Sequence, residues 1–285
     1  MTFFQAMVLA LLQGFSELFP ISSLGHTVLV PSLLHWNIDR KDPTFLAFIV
    51  ALHLGTAIAL LIFYWKDWDA IVRAFFASIA RGKMSNDPDE KIAWLLVAGT
   101  IPVGLCGVLF QDAVRSFFGS TQIVAAFLIL NAFVMFLGER LKRIERGPAS
   151  PPPRRLADLP WIDAVKVGLA QALALFPGIS RSGSSIVAGL LCDLTHEDAA
   201  RFSFLLATPV IGAAALLEIP ELLAPSAHAV LVQSLIGGVL SGITAYASVA
   251  FLTKYFETND LRPFGWYCLG VGMLCFGLAA AKVIS

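Results

Sequence analysis

Long apolar runs constrain this chain more than any other feature. A helix that crosses a bilayer needs about 20 predominantly apolar residues. Five stretches meet that requirement, at about 44–65, 92–111, 118–138, 201–219 and 229–252, with a sixth at about 263–283. Backbone N–H and C=O groups find no water in the hydrocarbon core, so such runs fold as α-helices. With 57% hydrophobic and 14% charged residues, the chain has too few charges to give each run a solvated face. An all-α polytopic membrane protein with about six transmembrane helices is expected. The opening MTFFQAMVLALLQG has neither a basic leader nor a small-residue cleavage site, so it is expected to belong to the fold rather than be removed. Zero formal net charge argues against nucleic acid as a partner. Cys106, Cys192, Cys268 and Cys275 sit singly in apolar surroundings and read as packing residues.

Two further apolar regions are broken. Residues 3–33 carry Gly14, Pro20 and Gly25, and residues 161–191 carry Pro177, Gly178 and Gly183. Each half suits a half-membrane helix, so each region is expected to be a re-entrant helix-turn-helix with its tip near the midplane, covered by protein or a wet cavity. Lys66, Arg73, Arg81, Lys83 and Lys91 cluster in one connection, Arg140, Lys142, Arg143, Arg146, Arg154 and Arg155 in another, and Lys254 with Arg262 in a third, which places all three on the cytoplasmic side. The opposite loops carry Arg40, Lys41 and Arg115, and residues 219–228 have neither Lys nor Arg. The first element then dips from outside and the second from inside. DWDAIVRAFFASIARG suits a helix lying on the inner surface.

Both broken regions share a motif, LFPISSLG at 18–25 and LFPGISRSG at 175–183, with Gly178 as a one-residue insertion. Opposite entry directions make this an inverted-topology repeat, whose midplane interface commonly holds a binding site. The expected division is a first repeat at 1–146, a cytoplasmic Pro-rich linker at 147–160 and a second repeat at 161–285, forming one integral-membrane domain.

The ionisable residues far from any interface are Glu17, His26, His53 and Arg181. A charge at a helix centre costs at least ~2.5–3.5 kcal/mol on insertion scales, so such groups face a cavity and pair with one another. Ser22 and Ser23 accompany Glu17 and His26, while Ser180, Ser182, Ser184 and Ser185 flank Arg181, more donors than one ion pair uses. A phosphate gives them a common purpose: Gly178 and Gly183 allow close backbone approach, a helix N-terminus starts near Ser180, and Arg181 offers a planar fork. Gln13 and Glu17 share a helical face and offer oxygens to a hard divalent cation, Mg²⁺ or Ca²⁺. His53, mid-span in VALHLGTAIAL, reads either as a core histidine or as a substrate contact.

QGFSELFPISSLGH and PGISRSGSS, each followed by a long span, resemble the bacitracin-resistance type of undecaprenyl-diphosphate phosphatase over nearly the whole chain. The resemblance implies a dimeric bacterial inner-membrane enzyme with an inverted repeat, hydrolysing undecaprenyl diphosphate to undecaprenyl phosphate on the outer side. Such an enzyme recycles the cell-wall lipid carrier and counters bacitracin. By motif, the metal pair falls on Gln13 and Glu17, the serine and histidine on Ser23 and His26, and the arginine motif on Ser180, Arg181 and Ser182. The chain departs from the family where Gln13 replaces Glu, Leu24 replaces Thr and Ser185 replaces Thr. Ser185 keeps the hydroxyl, whereas Gln13 removes a carboxylate.

The expected chemistry is metal-assisted hydrolysis. Ser23 is the expected nucleophile, with His26, three residues on, as its general base or acid; attack by His26, or by a water it activates, stays open. Glu17 is expected to hold metal without competing for the serine proton, and Ser22 to point away. The rival function is transport of a polyprenyl phosphate without cleavage.

Overall fold

Described in the computed structural model are residues 1–39, 42–117, 120–145, 152–217 and 225–284. Arg40, Lys41, Arg146, linker residues 147–151 and most of the loop at 219–228 lie outside them. The chain enters its first helix through a capping box, in which the Thr2 hydroxyl accepts the Gln5 N–H and the Gln5 side chain accepts the Thr2 N–H. That helix, α1 (Phe3–Ser16), and the next, α2 (Ser23–Leu33), have 14 and 11 residues. At 1.5 Å per residue they reach about 21 and 16 Å, short of the ~30 Å hydrocarbon core. Then come α3 (Pro43–Phe63), α4 (Trp65–Arg81), α5 (Pro88–Phe117) and α6 (Thr121–Glu145). The second half repeats the short pair as α7 (Trp161–Ala172) and α8 (Arg181–Leu191), followed by α9 (His196–Leu217), α10 (Leu231–Tyr255) and α11 (Arg262–Ala280). Among the described residues six segments are long and apolar enough to span: Pro43–Phe63, Pro88–Phe110, Thr121–Ile144, His196–Leu216, His228–Tyr255 and Arg262–Ala280. They match the six expected from sequence.

Helix α4 buries Ile71, Ala74 and Ser78 and leaves Trp65, Val72, Phe76 and Ile79 exposed. Trp94 Nε1 donates to Ser78 Oγ at 2.9 Å, and Arg81 pairs with Glu90, fastening α4 to α5. A helix is thus present where the sequence suits one, with one face buried and one exposed.

Lipid offers no hydrophobic drive for helix to meet helix, so small residues and close backbones do that work. Helix α1 packs on α10, α7 on α5, α3 on α9 and α10, and α6 on α11. A Cβ at Gly14 would lie 2.2 Å from Ser241 O, at Gly55 2.0 Å from Gly238 O, and at Gly168 2.3 Å from Gly99 O. Backbone carbonyls cannot swing aside as side chains do. Gly55→Ala is therefore expected to force α3 from α10 and destabilise the protein by about 1–3 kcal/mol or more, seen as a lowered midpoint of thermal unfolding in detergent. An unchanged midpoint would mean that the helices separate without loss.

Candidate active site

Four side chains converge on one carboxylate. Gln13 and Glu17 lie one turn apart at the end of α1, and both are buried. Gln13 Nε2 donates to Glu17 Oε2 at 2.9 Å. Ser23 Oγ, in the first turn of α2, donates to the same oxygen at 2.5 Å. From mid-α3, His53 Nε2 lies 3.7 Å from Oε2, while its Nδ1 is 2.9 Å from Ile49 O. Arg181, the first residue of α8, places Nη2 3.5 Å from Glu17 Oε1 and donates from Nη1 to Ser203 O at 3.3 Å. Glu17, the sequence's most conspicuous buried carboxylate, is the hub.

Two atoms around this hub are buried without a hydrogen-bond partner among the described residues: Gln13 Oε1 and Arg181 Nε. The orientation of Gln13 is set by chemistry, since a carboxylate can only accept and so draws the NH₂ end. An orphaned acceptor and an orphaned donor, both inside protein, are groups that a bound ligand could satisfy. The acceptor suits a cation and the donor a phosphate oxygen.

The expected pairing of Ser23 with His26 is not the one formed. Ser23 donates to Glu17, and the His26 ring bonds instead to Ser22 O through Nδ1, at 2.7 Å, and to Tyr267 OH through Nε2, at 2.8 Å. Spacing of three residues permits contact but does not compel it. A carboxylate within reach is the stronger acceptor for a hydroxyl proton. Glu17 therefore does compete for that proton, contrary to the sequence expectation.

The serines of the second motif also differ from a free phosphate cradle. A hydroxyl has one proton to donate. Ser182 donates it to Phe19 O at 3.1 Å. Ser180 caps α8 by accepting Gly183 N–H at 3.1 Å, and its Oγ also lies 3.4 Å from Phe19 O. Ser185 is engaged with Arg181 O at 2.8 Å and with Ser203 Oγ at 2.7 Å. Ser22, at φ 70, accepts the N–H groups of Gly25 and Gly178, each at 3.2 Å. Gly178 has φ 114, and a Cβ there would meet Val124 O at 2.4 Å, so this turn admits no side chain. These residues bind one motif to the other, while Ser184 Oγ is buried without a partner.

Asn131 and Tyr267 were not singled out from sequence. Asn131, fully buried on α6, donates to Pro20 O and accepts Ser180 N–H, both at 3.0 Å, so one amide clasps both turns. Its signal was present as a lone amide within LILNAFVMF, an apolar run. Tyr267 gave none, because a tyrosine near a helix end reads as an interface anchor.

Comparison with known proteins covers nearly the whole chain. The family model described as Bacitracin resistance protein BacA matches residues 6–274. The chain is 46% identical to an undecaprenyl-diphosphatase of Mycobacterium avium (strain 104) over 95% of both chains. It is 47% identical to undecaprenyl-diphosphatase 2 of Chromobacterium violaceum, over 95% of this chain and 96% of that one. It is 48% identical to undecaprenyl-diphosphatase 1 of Burkholderia pseudomallei, over 94% of each.

Proposed function

We propose, since the chain belongs to the bacitracin resistance protein BacA family, that the cluster around Glu17 cleaves the diphosphate of a membrane-embedded polyprenyl lipid. The protein is an integral-membrane undecaprenyl-diphosphatase: it converts undecaprenyl diphosphate to undecaprenyl phosphate and inorganic phosphate, an activity that fits bacitracin resistance. The observation that carries the assignment of the site is the chain Ser23 Oγ, Glu17, Arg181, at 2.5 and 3.5 Å, with Arg181 Nε left free.

On this reading Ser23 Oγ attacks the terminal phosphorus and its proton passes to Glu17 Oε2. The bond to the bridging oxygen breaks and undecaprenyl phosphate leaves. Water then cleaves the Ser23 phosphoester, releasing inorganic phosphate and restoring the hydroxyl. Arg181 opposes the charge that builds on the equatorial oxygens. Gln13 Oε1 and Glu17 would hold a divalent cation, Mg²⁺ or Ca²⁺. Among the described residues no three His, Cys, Asp or Glu side chains converge as a metal site. The fit is therefore to a cation that takes few protein ligands and completes its shell with water and substrate phosphate. Such an ion supplies charge neutralisation at the diphosphate.

The remaining parts of the reading concern architecture. Exchanging α1 with α7 and α5 with α10 turns the α1–α10 contact into the α7–α5 contact, which supports an inverted repeat with re-entrant tips. Asn131, touching both turns, supports tips that meet. The charge asymmetry of the loops supports a bacterial inner-membrane location with the site opening to the outer side. A homodimer rests on the resemblance alone.

The test is phosphate release from undecaprenyl diphosphate by the purified protein, with and without chelator. Release that stops on chelation supports the reading; lipid movement between leaflets without release favours a carrier. Gln13→Glu is expected to lower the divalent-ion concentration required for half-maximal rate. An ionised oxygen binds a hard cation better than an amide, and two facing carboxylates invite a cation between them. An unaltered metal titration would assign Gln13 to its hydrogen bond with Glu17.

A further inference from the structure

His26 is 2% exposed, and both of its ring nitrogens are engaged. Ser22 O, 2.7 Å from Nδ1, is a carbonyl and only accepts, so in the neutral ring Nδ1 carries the proton. Nε2 is then a lone pair, and the Tyr267 hydroxyl at 2.8 Å is its donor. The two rings also stack, with centroids 5.7 Å apart and planes at 14°. Tyr267 comes from α11, the last helix, and is 43% exposed.

The bond on the other side of the ring reaches the catalytic turn. Ser22 O accepts both the His26 ring N–H and the His26 backbone N–H, the latter at 3.2 Å. Ser22 is in the left-handed region at φ 70, a conformation that non-glycine residues hold only where surroundings impose it. The next residue is Ser23, whose hydroxyl meets Glu17.

We propose that Tyr267 is a positioning residue whose hydroxyl, donating to the His26 lone pair, fixes the ring orientation of His26 and, through Ser22, the direction of the Ser23 hydroxyl. The second half of the chain thereby aims the nucleophile of the first. Only the kinetic part of this inference rests on the phosphatase reading.

Tyr267→Phe keeps the stacked ring and removes the donor. In full-length protein carrying ¹⁵N-histidine, with the His26 signals identified by their loss in His26→Gln, Tyr267→Phe moves the Nε2 signal toward that of a lone pair without a donor. In the same variant kcat falls by about ten-fold or more, as expected for a misaimed reacting group, while KM stays within about two-fold. An unchanged His26 spectrum, or an unchanged kcat, overturns the proposal. So does a Tyr267→Leu variant that is slow while Tyr267→Phe equals the unaltered protein, because the ring and not the hydroxyl would then matter. Failure of the phosphatase reading looks different: the unaltered protein itself releases no phosphate, while the spectral comparison still decides the contact.

Discussion

Arg181→Lys is expected to lower kcat/KM by on the order of 10²–10³-fold while keeping the charge, the range found when a donor to a developing oxyanion is lost. The guanidinium has a different task in each direction. Nη1 donates to Ser203 O at 3.3 Å, Nη2 faces Glu17 Oε1 at 3.5 Å, and Nε is unpartnered. An ammonium is a point charge whose donors cannot hold the carbonyl, face the carboxylate and still present a fixed N–H to a phosphate oxygen. Folding should survive, because Glu17 still has a cation beside it, whereas a neutral replacement leaves a buried charge unpaired at about 3–5 kcal/mol. The measurement is phosphate release alongside a thermal unfolding midpoint. Near-normal turnover with Lys would make Arg181 a counter-charge for Glu17 and nothing more.

How far the sequence discloses this arrangement depends on what each residue answers to. The spans were legible because lipid permits only one solution for long apolar backbone, and all six match helices of the structure within a few residues at most ends. Glu17, His53 and Arg181 were legible for the related reason that an intramembrane charge has to find company. Their meeting at one point joins residues 164 positions apart in the chain, which no local pattern prescribes. The hydroxyls were less legible. Ser180, Ser182 and Ser185 stand in a motif that suggests phosphate, yet their protons go to Phe19 O, Arg181 O and one another. A serine in a sequence does not say whether its donor is free. Asn131 and Tyr267 act entirely through long-range contacts, to Pro20, Ser180 and His26, so their roles appear only when helices α6 and α11 are packed.

Ser23 and Glu17 are expected to behave as one unit, which a double-mutant cycle detects. Ser23→Ala removes the hydroxyl; Glu17→Gln keeps shape but cannot take its proton. If Ser23 Oγ attacks phosphorus as its proton moves along the 2.5 Å hydrogen bond to Oε2, either loss stops the same step. Each single variant should lose on the order of 10³-fold or more in kcat, and the double variant should be hardly worse, because groups acting together in one step are grossly non-additive. His26→Ala is the contrasting case. Its ring touches Ser22 O and Tyr267 OH and does not share the Ser23 proton, so it should lower the rate less than Ser23→Ala. Glu17→Gln carries a further cost, since Arg181 loses its facing carboxylate, and for that reason the comparison is made on kcat in protein with an unchanged unfolding midpoint. Fully additive losses from Ser23 and Glu17, or a cycle in which Ser23 couples to His26 instead, would return the proton to the imidazole. The 2.5 Å bond would then belong to a resting arrangement that substrate rearranges.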